Sequence, residues 1–388
     1  MTTTVSIVLN VLAAVGMLLI AVSSGTYIGR KANLDQKVLS EMGRVCASVM
    51  TPCLIFSSIV ENLTWDLLLQ SWHIPVATVL FLVVDVLLAM GLAHFFVERK
   101  WSVLCIMGAT FNNPMALPVS IIQSLSQGES WIEHQLSLSI SLCFLFNVFQ
   151  TPFFWMGGSM LIDSEKERLA AEQRLDESEM GAKEGPGAPQ SGTLAALHAS
   201  NEDCCEHFTH VCRRAFKVLS TSVNPPFVAA LVSLVIAMIP PLQTALIQKR
   251  GLLNPLFLGI KLVGEGMIPS LLVLLGANLW DSYANSKKED HVPKTVLGII
   301  LVIKLIVTPM IACAFYYVAG RHAKVTNSVH LVYFVEAACP TAINLALLFG
   351  MKQYMSREVA IVILYNYLLC PVTIAMWLSV VLHVLDAE

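Results

Sequence analysis

Phe111-Asn-Asn-Pro-Met-Ala-Leu-Pro118 lies inside an apolar stretch, residues 102–125, that is otherwise long enough to cross a bilayer. Pro114 has no N–H and disfavours the helical turn before it. Asn112 and Asn113 bring polar groups that are costly when they face lipid. A helix therefore breaks here, and protein must surround the break. The same event recurs 226 residues later in Glu336-Ala-Ala-Cys-Pro-Thr-Ala-Ile-Asn344, where Pro340 matches Pro114. Three further prolines pair in the same way. Pro52 matches Pro269, Pro75 matches Pro293 and Pro152 matches Pro371, at offsets of 217, 218 and 219 residues. Their surroundings agree, since Met50-Thr-Pro-Cys-Leu54 faces Met267-Ile-Pro-Ser-Leu271 and His73-Ile-Pro75 faces His291-Val-Pro293. The chain reads as two copies of one unit.

Composition says where the copies sit. Of 388 residues, 56% are hydrophobic and 13% charged, which excludes an ordinary soluble protein. Ten apolar stretches are expected to cross a bilayer, near 6–28, 39–60, 74–97, 102–125, 134–159, 222–246, 254–279, 293–319, 327–350 and 357–385. The first lacks a basic leader and exceeds a signal-peptide core, so it is kept as a helix. Five spans per copy invert the second copy relative to the first. The expected fold is an all-α membrane protein of ten transmembrane helices in two inverted five-helix repeats, with helices 4 and 9 broken and crossed. Residues 1–159 and 222–388 are the repeats, and 160–221 is a partly disordered loop. Such repeats characterise secondary transporters, whose sites form where interrupted helices meet near the midplane.

Orientation follows from Lys and Arg. With the N-terminus outside, the inner connections hold 18 of these residues and the outer ones 4. The 160–221 loop is then cytosolic and both termini are outside or luminal. Asn62-Leu63-Thr64, a glycosylation sequon, falls in an outer loop. Most of the ten cysteines lie inside spans and imply no disulfide framework. In the loop, Ser164 to Met180 has helix-forming composition and should extend helix 5, and the Gly- and Pro-rich run to Gly192 reads as a linker. Cys204, Cys205, His207, His210 and Cys212 can ligate zinc, but their spacing matches no common module, so an interfacial turn is the expectation and no metal is assigned.

Two broken helices suggest a site. If they cross, each second half-helix begins at the crossing, and a helix N-terminus carries about half a positive charge. Asn112, Asn113, Pro114, Pro340, Thr341 and Asn344 are the expected substrate-binding residues. Asp85, ten residues after Pro75, and Lys304, eleven after Pro293, carry opposite charges at nearly equivalent mid-span positions. Each costs about 2.5–3.5 kcal/mol to insert alone and should face a partner or a wet cavity. They are either gating or proton-linked residues, with Lys304 as a substrate counter-ion and Asp85 as the titrating carboxylate, or a structural ion pair between the repeats. Glu336, one turn before Pro340, is a further candidate for proton exchange. Lys261 and Glu265, spaced i, i+4, should pair locally. Asn147 and Asn366, each five residues before a proline, should hydrogen-bond between helices.

With these residues in place, the chain resembles the auxin efflux carrier family, the PIN-FORMED and PIN-LIKES transporters of plants and their fungal and protist relatives. The resemblance rests on Phe111 to Val119, on Cys339-Pro-Thr-Ala-Ile-Asn344, on Tyr365-Asn-Tyr-Leu-Leu-Cys-Pro371 and on the five-plus-five pattern. It covers every span and excludes the loop. It implies a scaffold part and a transport part, elevator-type motion, a homodimer and indole acids as cargo. Asp85 looks like the acidic residue that matters in helix 3 of the family. Helix 4 departs from the Gly-Asn patterns of plant members, and the short loop goes with the endoplasmic reticulum branch rather than the plasma membrane one. The expected activity is efflux of a small amphipathic organic anion such as indole-3-acetate. The alternative is a membrane sensor that binds a lipid or sterol in the same cleft without moving it. No nucleotide-binding loop, nucleophile–base pair or metal motif points to an enzyme or a cofactor, and nothing points to nucleic acid.

Overall fold

In hydrocarbon every backbone N–H and C=O must be bonded within the protein, and helices achieve this segment by segment. The computed structural model describes residues 2–32, 34–126, 130–182, 225–249, 251–285, 292–320 and 326–386. The cluster from Cys204 to Cys212 and most of the 160–221 loop lie outside them. Among the described residues the regular structure is helical apart from one isolated bridge.

The first half comprises α1 (Thr2–Ala32), α2 (Gln36–Val45), α3 (Thr51–Asn62), α4 (Trp65–Gln70), α5 (His73–Phe96), α6 (Ser102–Thr110), α7 (Ala116–Leu125), α8 (Ser130–His134), α9 (Leu136–Pro152) and α10 (Gly158–Ala182). The second comprises α11 (Pro225–Ala237), α12 (Pro240–Ile247), α13 (Asn254–Glu265), α14 (Met267–Asn285), α15 (Lys294–Val302), α16 (Thr308–Phe315), α17 (Asn327–Ala338), α18 (Asn344–Met351) and α19 (Ser356–Asp386). As expected from its composition, Ser164 to Met180 is helical and continues α9 through a π-turn.

Among the described residues six continuous helices are long and apolar enough to cross a membrane: Lys37–Asn62, His73–Phe96, Leu136–Arg174, Asn254–Asp281, Lys294–Val318 and Ser356–His383. The expected span at 222–246 is not straight. It bends by 106° between α11 and α12, where Pro240 and Pro241 remove two N–H donors, and it makes a seventh crossing only if the pair counts as one. The expected spans at 102–125 and 327–350 are each two short helices around a break. The first expected span falls within α1, 31 residues long.

Three π-turns mark proline positions. Cys46–Met50 precedes Thr51-Pro52, Ile303–Val307 precedes Thr308-Pro309, and Phe153–Gly157 follows Pro152. A proline cannot donate to the ladder, and widening the turn re-bonds the carbonyls it strands. At the first of these a threonine hydroxyl assists, with Thr51 Oγ1 donating to Cys46 O at 3.0 Å.

The halves pack reciprocally. α1 of the first lies along α14 of the second, and α11 of the second lies along α3 of the first. The α1–α14 approach brings backbones together at Gly25 and Gly276. A Cβ on Gly276 would lie 1.9 Å from Val22 O, and one on Gly25 would lie 2.1 Å from Val273 O. Small residues permit such contact where lipid supplies no hydrophobic drive between helices. The Thr26 hydroxyl donates to Gly276 O at 3.1 Å across the same seam.

Candidate functional site

The break in each discontinuous helix is bonded to the other. Asn112 and Thr341 form an antiparallel bridge, with Asn113 N donating to Pro340 O at 2.9 Å and Ala342 N to Phe111 O at 2.8 Å. The expected crossing is therefore present as two short extended segments paired edge to edge. Their side chains close the helix ends. The Thr341 hydroxyl donates to Gly108 O in the last turn of α6 at 2.8 Å. The Asn112 amide donates to Glu336 O in the last turn of α17 at 2.8 Å, and to Glu336 Oε2 at 3.1 Å. Each half thus caps the first half-helix of the other and satisfies carbonyls that a helix end leaves open. Gln150 of α9, a residue that sequence reasoning missed, donates to Asn112 O at 2.8 Å.

Lys304 completes this set. It sits on the π-turn Ile303–Val307, is 1% exposed, and donates to Thr110 O at 2.8 Å and to Asp85 Oδ2 at 2.9 Å. Thr308, on the next turn, donates to Asp85 Oδ1 at 2.9 Å. The two mid-span charges therefore meet, and the cation also caps the C-terminal end of α6, where the helix dipole is negative. Glu336 is fully buried beside Cys143, and no hydrogen bond of ordinary geometry reaches its Oε1.

A cavity of about 50 Å³ lies against the crossing. Asn113, Pro114 and Met115 enter it just before α7, and Ile343 and Asn344 enter it at the start of α18. Asn113 is oriented by Tyr367 of α19, with Nδ2 2.6 Å from the phenol oxygen. The facing wall is Thr51, Leu54 and Ile55 of α3 with Met267, Ile268, Leu271 and Leu272 of α14. Those two stretches include the repeat-matched motifs around Pro52 and Pro269. Asn147, Thr151 and Trp155 close the side. Among the described residues no basic side chain lines the cavity.

Three predicted residues, Asn113, Pro114 and Asn344, line this cavity. Asn112, Pro340 and Thr341 do not, because their groups are spent on the crossing. Asp85, Lys304 and Glu336 also lie outside the lining. Asn147 and Thr151 were missed as lining residues, although i, i+4 polar spacing just before Pro152 was the available signal. Asn147 Nδ2 lies 3.0 Å from Met115 Sδ, and its Oδ1 accepts from Thr151. Asn366 bonds within its own helix, to Val362 O at 2.9 Å, rather than between helices as expected. Lys261 pairs with Glu61 at 2.7 Å and not with Glu265, because α13 approaches α3 closely enough at Gly264 to bring Glu61 into reach.

Residues 10–378 match the family model described as membrane transport protein. The chain belongs to the auxin efflux carrier family. It is an integral membrane protein of a transporter family, not of an enzyme family. An uncharacterized transporter of Schizosaccharomyces pombe is 22% identical, over 90% of this chain and 89% of its own. Protein PIN-LIKES 7 of Arabidopsis thaliana is 20% identical, over 87% of this chain and 88% of its own. An uncharacterized transporter of Saccharomyces cerevisiae is 28% identical over a shorter stretch, 39% of this chain. The first two cover most of the chain, and none of the three names describes a sensor, so the lipid- or sterol-sensing alternative draws no support from them.

Proposed function

We propose that the chain exports a small amphipathic organic anion, such as indole-3-acetate, by elevator-type alternating access. The observation that carries this reading is that both second half-helices begin at one cavity. Helix N-termini supply positive potential there without a basic side chain. Asn113 and Asn344 offer amide donors to a carboxylate, and Leu54, Trp155, Met267 and Leu271 offer apolar contact to a ring.

At about 50 Å³ the cavity holds roughly a water or two, against the 150 Å³ that accepts benzene. Loading therefore requires the α3–α14 wall and the crossing to move apart. That supports a two-part division, with α1–α3 and α11–α14 as scaffold and α5–α10 with α15–α19 as the moving part. In this reading the ten crossings form two inverted repeats, the termini are outside or luminal, and copies pair through scaffold helices. The membrane is that of the endoplasmic reticulum or the cell surface. Export of a monoanion from a compartment negative inside releases about 2.3 kcal/mol per 100 mV, so uniport suffices. Asp85 and Lys304 hold the end of α6 at the crossing and tune the motion, and Glu336 is the group available for proton exchange. Uptake of labelled indole-3-acetate into proteoliposomes under an imposed potential tests the reading. Potential-dependent flux that Asn113→Ala removes supports it, and absence of flux for indole and aryl acids alike refutes it.

A further inference from the structure

A second hollow, of about 350 Å³, shares no lining residue with the cavity. Phe153 and Gly157 line it, whereas Thr151 and Trp155 line the cavity, so the two spaces take opposite faces of one helical segment. Val83, Leu87 and Met90, mid-way along α5, form its mouth and are exposed on the membrane-facing surface. Among the described residues no charged one lines it. Thr110, at its floor, is the one residue of the lining with a polar side chain. That residue is 1% exposed, and its Oγ1 has no hydrogen-bond partner. Its carbonyl is occupied by Lys304, so the hydroxyl alone is left open.

We propose that this groove binds a neutral, lipid-soluble small molecule that enters from the bilayer and meets Thr110 through a single hydrogen-bonding oxygen. The size falls in the range of small-molecule sites, and an apolar wall with one placed polar group is their usual composition. A charged ligand is excluded, because nothing here compensates its desolvation. A plain acyl chain fills the space yet leaves the buried hydroxyl unpartnered, which is the unfavourable state. A ligand oxygen removes that deficit. Depth sets the class further, since the mouth lies mid-span on α5, away from the layer where phospholipid headgroups sit.

Menthol and menthane test this, because they share a carbon skeleton and differ by one hydroxyl. Each is titrated against the purified full-length protein in detergent, and the unfolding temperature is followed. Menthol should give a saturable rise at a concentration at least tenfold below menthane. Thr110→Val, which keeps the shape, should erase that tenfold preference and leave menthane unchanged. It should unfold at or above the temperature of the unliganded parent, which shows that the fold is intact. Gly157→Leu should abolish the response to both probes by filling the groove, because a Cβ there meets nothing within 4 Å. Equal responses to the two probes overturn the proposal, as does a menthol response that survives Thr110→Val. So does the lack of any saturable response, the result if a second copy covers the groove or if it is a plain lipid furrow.

Discussion

Asn112 and Asn344 are both asparagines of a broken helix, yet their surroundings assign them different work. Asn112 has both its donors committed to Glu336, one to the carbonyl and one to the carboxyl. Asn112→Ala should lower stability by about 1–3 kcal/mol, because it strips the buried Glu336 carboxyl of its amide partner. Asn344 is partly exposed to the cavity, so Asn344→Ala should change stability by no more than about 0.5 kcal/mol and still reduce flux at least tenfold. Thermal unfolding and flux measured on the same preparations separate the two roles, and equal stability losses would deny the distinction. Asp85 and Lys304 behave as a unit. Lys304→Met strands a buried carboxylate and uncaps α6, and should cost about 3–5 kcal/mol. Asp85→Asn keeps an acceptor for Lys304 and Thr308, and should fold. Its flux between pH 5 and pH 8 should differ from the parent in rate or profile. An unchanged profile in stable protein would leave the pair purely architectural.

At the scale of elements, the closest contact is the one most sensitive to change. Gly276→Leu would drive a side chain into the backbone of α1 at Val22, which cannot rotate aside, and should cost about 3 kcal/mol or more. Gly259→Leu on α13 meets nothing within 4 Å and should be near neutral. Unfolding temperatures of the two variants check the contrast, and a tolerated Gly276→Leu would refute the close α1–α14 packing. The breaks at Pro114 and Pro340 were legible in the sequence because proline acts locally, through its own missing donor and ring. The π-turns were less so. Thr51-Pro52 and Thr308-Pro309 announce a disturbance, but whether the turn widens or kinks depends on which carbonyls neighbours can satisfy. The Pro240-Pro241 bend was overlooked for a simpler reason, since hydropathy averages over a corner. The Lys261 partner was misread because i, i+4 spacing ranks pairs within one helix, and here tertiary approach decided. That Asn113 and Asn344 line the cavity was legible from their place at the breaks, whereas the α3 wall that faces them shows only when the halves are folded together.

At the scale of the whole molecule, the side-chain bonds sort by part. Glu61–Lys261 and Thr26–Gly276 lie within the proposed scaffold, and Asp85–Lys304, Asn112–Glu336, Asn113–Tyr367 and Asp163–Lys352 lie within the proposed moving part. Arg357 of α19 pairs with Asp281 of α14 at 2.6 Å, and Gln353 bonds Ser40 of α2 at 3.3 Å, and these two ties cross from part to part. They join connections that the charge bias assigns to the cytosolic side, together with Lys100, whose carbonyl Tyr354 reaches at 3.4 Å. Cysteines placed at exposed Glu172 and Lys249, in a background without reactive native thiols, test that side. Impermeant reagent should label Lys249→Cys from outside or the lumen and spare Glu172→Cys, and the reverse pattern would invert the topology. The ties also make the motion testable. A short thiol cross-link between Ser40→Cys and Gln353→Cys joins the two parts and should arrest flux, with recovery on cleavage of the linker. A cross-link between Asp163→Cys and Lys352→Cys, inside one part, should leave flux intact. If the first cross-link leaves transport unimpaired, the two groups of helices do not move against each other, and the elevator reading fails while the cavity and its ligands remain to be explained by a local gate.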